Sequence, residues 1–233
     1  MEGYFLKGIF GKAAQKNLFQ LSFINIRDFS LSKHKRVDDY PYSHRLGMIL
    51  QAEAVSRAIY SIDQYTEYRL LYACPKGPVL TQAKVSEYSQ EAKGLIILSG
   101  YYEGIDERLF QLFNIERISL GDFVLSSGEL PSMAIAEAVL RQLPGVIGNP
   151  HSVGEDSIIS GILEHPHYAA PRSFEGLEVP EVLLNGNHQA IAQWKEKQSI
   201  KDTLFWKPSL LAQREVSNSE QKAIIYALEG DPL

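Results

Sequence analysis

The spacing of apolar residues along the chain switches between helical and alternating, and each switch marks an element. Gly8–Leu18 has helical spacing, Gln20–Ile26 alternates apolar and polar positions as a strand does, and Gln51–Ile62 is helical again. Between them, Arg27–Gly47 is polar, charged and aromatic without a clear period, which predicts a long functional loop or a mobile segment. Arg69–Ala73 predicts a strand, Pro75-Lys76-Gly77-Pro78 a turn and Thr81–Gln90 a helix. The clearest element is Gly94–Gly100, a continuous apolar run closed by glycine, which is how a buried parallel strand reads. Ile105–Phe113 predicts a helix, Ile115–Leu120 a strand, and Pro131–Gln142 a helix with proline at its first position. Strands alternating with helices predict an α/β sheet whose ligand loops follow the strand ends.

The pattern changes near residue 150. Asn149–Ser157 is polar, His165–Arg172 carries two prolines, and Val179–Leu184 is a short apolar segment ahead of two helices. Asn187 can cap the first of these helices, and Ser217 with Glu220 forms a capping box for the last. The predicted organisation is a first domain over 1–150, a linker over 151–175 and a small helical domain over 176–233.

Composition adds boundaries to this picture. At 233 residues and 45% hydrophobic, the chain buries enough core to need neither disulfide nor structural metal. One cysteine, Cys74, excludes an intramolecular disulfide, and no basic-then-apolar leader or membrane-length apolar run is seen, so the expected setting is a soluble cytoplasmic protein. A net charge of -5 argues against a general nucleic-acid binder, although Lys33-His34-Lys35-Arg36 and Lys195, Lys197 and Lys201 form local basic clusters. His165-Pro166-His167 is too closely spaced for a helical metal pair and has no cysteine beside it, so no metal ligands are assigned.

Two glycine-bearing loops are the chemical candidates. One runs from Ser99 to Arg108 directly after the buried strand, and the other from Ser119 to Pro131, between a strand and a helix. Glycine at such places permits positive φ or close backbone approach, and two such loops at neighbouring strand ends point to a ligand crevice. Neither is a Walker A or GxGxxG sequence.

Three stretches carry a resemblance: GYYEGIDER from Gly100, SLGDFVLSSGELPSMAIAEAVLRQLPGVIG from Ser119, and PEVLLNGNHQAIAQWKEKQS from Pro180. Over about Gly8 to Gln198 the chain closely resembles the bacterial tRNA (guanine-N1)-methyltransferases, of the trefoil-knotted (SPOUT) class. Topology rules alone would discount a knot. The resemblance implies a trefoil-knotted parallel sheet flanked by helices, with a small C-terminal helical domain that binds tRNA. It also implies a homodimer with the active site completed at the interface, and no membrane association. The methyl donor would be S-adenosylmethionine, with an added requirement for Mg2+ left open, and the acceptor N1 of guanosine 37 beside the anticodon.

By the same resemblance the adenosyl pocket is lined from the two loops by Ser99, Gly100, Tyr102, Gly104, Leu120, Gly121, Phe123, Leu125, Ser126, Gly128 and Pro131, with Pro75 and Gly77 at its border. Glu103 sits where the family has a carboxylate near the methionine end. From the residues alone, Asp156 reads as a helix N-cap and Arg141 as a solvated helix end. The resemblance instead makes Asp156 the general base for the N1 proton and Arg141 the cation that stabilises charge on O6.

Five departures accompany the resemblance. The family begins with a further strand before the segment matching Glu2–Phe5, so either an upstream strand or a smaller sheet is expected. Ser43-His44-Arg45 replaces three glycines, Tyr101 an arginine and Ser127 a glycine, and Tyr168-Ala169-Ala170-Pro171 lacks the usual threonine and arginine. These changes hold open an alternative, a catalytically weakened or non-enzymatic relative that keeps the dimeric fold and cofactor binding.

Overall fold

The computed structural model describes residues 1–42, 47–147 and 161–212, together with 215, 217, 220–221 and 224–225. They divide into two compact units, Met1–Gly148 and Asn149–Leu233.

The first unit is built on β3 (Arg69–Ala73), which pairs in parallel with β4 (Leu95–Leu98) on one side and β5 (Ile115–Ile118) on the other. Strand alternation sends Leu70 and Tyr72 to one face and Leu71 and Ala73 to the other. The first pair packs against α3 (Ala52–Tyr60) and α5 (Leu109–Leu112) through Val55, Ile59 and Leu109. The second packs against α4 (Gln82–Ser89) and α6 (Glu129–Leu140) through Val85, Tyr88, Ile135 and Val139. Leu71, Leu109 and Ile135 have no exposed surface, each worth about 1.5–3 kcal/mol of burial. The result is a parallel three-stranded sheet flanked by helices. At the chain start, α1 (Glu2–Phe5) and α2 (Gly8–Gln15) place Phe5 and Phe10 against Leu140 and Val146 at the end of α6.

Four expectations need correction. Gln20–Ile26 is not a strand: no neighbouring strand among the described residues takes its backbone bonds, and Leu21, Phe23 and Ile24 stay 40–43% exposed. Only Ile26 reaches the core, where Asn25 accepts a bond from the Arg27 N–H and opens a 3-10 turn. Arg27–Gly47 is not wholly loop, because β1 (Asp38–Asp39) pairs antiparallel with β2 (Ile49–Leu50). The helix expected over Ile105–Phe113 shrinks to α5, since Ile105 is claimed by a parallel bridge to Leu50. Finally, α6 starts at Glu129, so Pro131 occupies its third position, where the first-turn N–H is not needed.

The second unit contains a hairpin of β6 (Ser173–Phe174) and β7 (Leu177–Glu178), then α7 (His188–Trp206) and α8 (Pro208–Ala212). Asn187 caps α7 by accepting the Ala190 N–H at 3.1 Å. Ser217 and Glu220 exchange reciprocal bonds of 2.8 and 3.3 Å, the capping box read from the sequence. Ile200, Ser199 and Thr203 form the buried face of α7, and Thr203 accepts the Leu163 N–H at 2.8 Å. Trp194 lies beside His165 and Tyr168. No helix of the described residues is long and apolar enough to cross a membrane.

Candidate active site

Parallel strands deliver their carboxyl ends, and the loops that follow them, to one end of the sheet. After β3, Cys74 donates to Ile118 O at 2.9 Å and Leu80 to Ser119 O at 2.8 Å, which fastens the Pro75–Pro78 turn along β5. Gly77 lies in that turn, and a Cβ there would meet Ile118 N at 2.4 Å. The exposed Pro75 borders the turn.

The loops after β4 and β5 come from opposite edges of the sheet, yet they touch. Gly128 donates its N–H to the Gly100 carbonyl at 2.7 Å, and Tyr101 bridges Ser127 in antiparallel fashion. Both glycines are buried, and a Cβ on Gly128 would lie 2.5 Å from Gly100 N. Ser99 donates to the hydroxyl of Ser132 on α6 at 2.8 Å, which ties the first loop to the helix that the second loop enters. The Ser119 hydroxyl accepts the Gly121 N–H at 3.1 Å and shapes the start of the second loop. Beyond it Phe123, Val124 and Leu125 expose 54%, 93% and 40% of their surface, an unusual cost for apolar side chains without a partner. Leu120 and Ser126 complete this loop, and Pro131 follows in the first turn of α6.

Tyr72 underlies the first loop. A Cβ on Gly100 would meet its hydroxyl at 2.6 Å, one on Gly104 at 2.9 Å, and the Ile105 backbone hydrogen-bonds to it. Burial pushes the Tyr72 phenol up to about 12, with the neighbouring Cys74 adding to the rise, so it stays a neutral hydroxyl. Sequence reading missed both Tyr72 and Ser132. The signal for Tyr72 was its alternate position in β3, three residues before Pro75, which points it to the same face as Leu70.

The loop after β4 is also sewn to the β1–β2 region. Glu103 donates its N–H to Met48 O at 3.0 Å and Leu50 to Gly104 O at 2.9 Å. The Glu103 side chain lies against Gly47, where a Cβ would meet it at 2.6 Å and where φ is +82°. The Tyr102 hydroxyl bonds to the Asp38 carboxylate, which raises the phenol above its ordinary value, and Tyr102 itself holds φ at +56°.

Of the two catalytic positions that the resemblance implies, the described one is separated from this cradle. Arg141 caps the far end of α6, roughly 18 Å from Gly128 at about 1.5 Å per residue over the 12 residues of the helix. Asp156 and the altered stretch Ser43-His44-Arg45 lie outside the described residues. Among the described residues no group of three or more His, Cys, Asp or Glu side chains gathers to hold a metal ion.

A polar cavity of about 510 Å³ lies at the opposite end of the strands, lined by Glu67, Arg69, Glu91 and Glu116 among others. Arg69 lines it, pairing with Glu87 at 2.6 Å, Glu91 at 2.9 Å and Glu116 at 2.7 Å. Burial works against that guanidinium, but the three carboxylates outweigh it and hold the charge. Ligands of open parallel sheets sit beyond the carboxyl ends, so the Gly100–Gly128 cradle is the functional candidate and the cavity is structural.

A family model described as tRNA (Guanine-1)-methyltransferase TrmD matches residues 1–213. Proteins named tRNA (guanine-N(1)-)-methyltransferase from Bacillus cereus, Bacillus anthracis and Bacillus thuringiensis are each 43% identical over 230 residues. The alignments span 98% of this chain and 94% of each relative.

Proposed function

The chain belongs to the tRNA (guanine-N1)-methyltransferase family, and on that premise we propose that it methylates N1 of guanosine 37 in tRNA, as a cytoplasmic homodimer. The observation that carries the reading is the backbone cradle at Gly100 and Gly128. A Cβ at either glycine would meet Tyr72 or the Gly100 backbone within 2.6 Å, so only glycine lets the two loops close, and backbone N–H and C=O groups of loops placed this way are the kind that hold a purine. S-adenosylmethionine fits this donor set and supplies, when bound, a methyl carbon on a sulfonium.

Ser99, Gly100, Tyr102, Gly104, Leu120, Gly121, Ser126 and Gly128 would hold the adenosine through the loop backbones. Phe123, Leu125 and Pro131 would add apolar cover, Pro75 and Gly77 would border the pocket, and Glu103 would face the methionine end. The Asp156 carboxylate takes the guanine N1 proton. The N1 electron pair then forms the bond to the methyl carbon as the S–CH3 bond breaks, and the sulfur keeps the electrons. Arg141 stabilises the charge that proton removal places on O6. No step is routed through Mg2+.

Two features support the finer assignments. The chain leaves β5 at one sheet edge and meets the loop after β4 at the other, which is the passage a trefoil knot requires. Arg141 lies a full helix from its own cradle, farther than its side chain spans, which favours an active site shared between two copies. The exposed Phe123, Val124 and Leu130 give such a pairing apolar surface. The second unit would bind tRNA, supported by Lys195, Lys197 and Lys201 on α7 and by the exposed Phe205 and Trp206 at its end.

The test uses labelled S-adenosylmethionine and unmodified tRNA with guanosines at positions 36 and 37. Methyl transfer to N1 of guanosine 37 is expected, falling roughly 10²–10⁴-fold in Asp156→Ala. Cofactor binding without transfer, under conditions where the Bacillus cereus relative works, would leave a non-enzymatic relative as the correct reading.

A further inference from the structure

The Tyr101 ring stands at the rim of the cradle with 45% of its surface exposed, next to Tyr102 at 47%. The two rings meet edge to face, with centroids 4.5 Å apart and planes at 90°. Neither is loosely hung. Tyr101 is bridged to Ser127 and its carbonyl accepts the Gly104 N–H at 3.0 Å. Tyr102 is held at positive φ with its hydroxyl on Asp38. A rigid aromatic surface of this kind loses little freedom when it takes a ligand.

Its charged surroundings narrow the choice of ligand. Arg36 donates to the Asp38 carbonyl at 2.8 Å and pairs with Asp39 at 3.2 Å, so the basic run Lys33–Arg36 is joined to the tyrosine pair through Asp38. Lys35 is paired with Asp28 and Arg36 with Asp39, whereas Lys33 forms no ion pair among the described residues. Of the carboxylates beside the pair, Asp38 is engaged by the Tyr102 hydroxyl and Glu103 is turned onto Gly47. An exposed aromatic ring on a loop joined to a basic run is a combination that single-stranded nucleic acid uses, bases on the rings and phosphates on the cations.

We propose that Tyr101 is a base-stacking residue for the RNA substrate, taking the face of an unpaired nucleobase near the target guanosine, with Lys33 of the joined basic run available to a phosphate. This rests on the tRNA methyltransferase reading and gives a role to a residue where the family has arginine.

The test measures RNA and cofactor binding separately on the full chain. With an unmodified tRNA transcript at fixed salt, Tyr101→Ala should raise the RNA Kd and KM about tenfold, the size expected for one base on one ring. The kcat, the S-adenosylmethionine Kd and the sedimentation of the protein should not move, and Tyr101→Phe should match wild type. An anticodon stem-loop with a single abasic nucleotide beside the target should bind wild type more weakly and Tyr101→Ala no differently. An unchanged RNA Kd in Tyr101→Ala overturns the proposal. So does a loss confined to S-adenosylmethionine binding, or a dimer that falls apart, since the ring would then serve cofactor or partner subunit. If wild type transfers no methyl group but its RNA binding depends on Tyr101, the enzymatic reading fails and the stacking role stands.

Discussion

Placing one methyl group between the two loops should open the cradle, and the distances say by how much. In Gly128→Ala the new Cβ would lie 2.5 Å from Gly100 N and 3.1 Å from both Gly100 O and Ser99 C, all of them backbone. Ordinary contact begins at 3.4 Å, so the loops must part by about 0.9 Å. That takes the 2.7 Å bond from Gly128 to Gly100 out of hydrogen-bonding range. Overpacking costs about 1–3 kcal/mol and the lost bond about 1 kcal/mol. For a protein of this size the melting temperature should fall by roughly 5–15 °C. Gly100→Ala differs because its first obstacle is a side chain, the Tyr72 hydroxyl at 2.6 Å, with ring carbons behind it at 3.0 and 3.2 Å. Tyr72→Phe alone should destabilise by about 1 kcal/mol, since it strands the Ile105 N–H, but in the Gly100→Ala background it should restore part of the loss. Gly3→Ala, which adds its Cβ in open space, is the control. Calorimetric melting and titration with S-adenosylmethionine read all five variants, the double variant included. Wild-type melting and affinity in Gly128→Ala, or simple additivity of Gly100→Ala and Tyr72→Phe, would refute the close-contact argument.

Three other outcomes are expected. Hydrogen bonds from Lys84, Tyr88 and Arg69 outweigh burial and hold Glu116 below its ordinary value of 4.5. Its stabilising contribution is therefore complete above that value and lost as pH falls through the lowered one. Acid unfolding curves should show this decline, and Glu116→Gln should flatten it while costing stability at neutral pH. Ser217→Ala removes the acceptor for the Glu220 N–H and should destabilise the second unit by about 0.5–2 kcal/mol, read as earlier proteolysis there. If the active site is shared, mixing refolded Asp156→Ala subunits with cofactor-deficient Gly128→Ala subunits should recover methyl transfer that neither shows alone. No recovery in a mixture with proven subunit exchange would place both functions in one copy.

The sheet was legible in the sequence because Gly94–Gly100 and Arg69–Ala73 are apolar runs of strand length bounded by turn residues. The capping residues were legible too, since Asn187, Ser217 and Glu220 act on backbone within three positions of themselves. Gln20–Ile26 misled because alternation reports an apolar face, not the presence of a neighbouring strand to share hydrogen bonds. Ile105 misled for the converse reason: it has helical spacing, but a bridge to Leu50, distant in sequence, outbids the first helical turn. The two glycine loops announced a crevice, but not that Gly128 would close on Gly100. Ser132 was invisible as a site residue because nothing local distinguishes a hydroxyl under a loop from one in a core, and Tyr72 had only its strand phase ahead of Pro75 to mark it.

The order β4-β3-β5 also has a consequence for synthesis. The central strand is made first, and 45 residues separate Ala73 from Ile118 at the end of the last strand. At about 5–20 residues per second the ribosome needs roughly 2–9 s to supply them, and until then β3 lacks one or both flanking strands. Gly128 emerges later still, so the nascent chain can assemble its sheet before it has any cradle. Ligand cannot guide the early steps, and an apolar strand waits on partners not yet translated, which makes this interval the one in which a chaperone has most to protect.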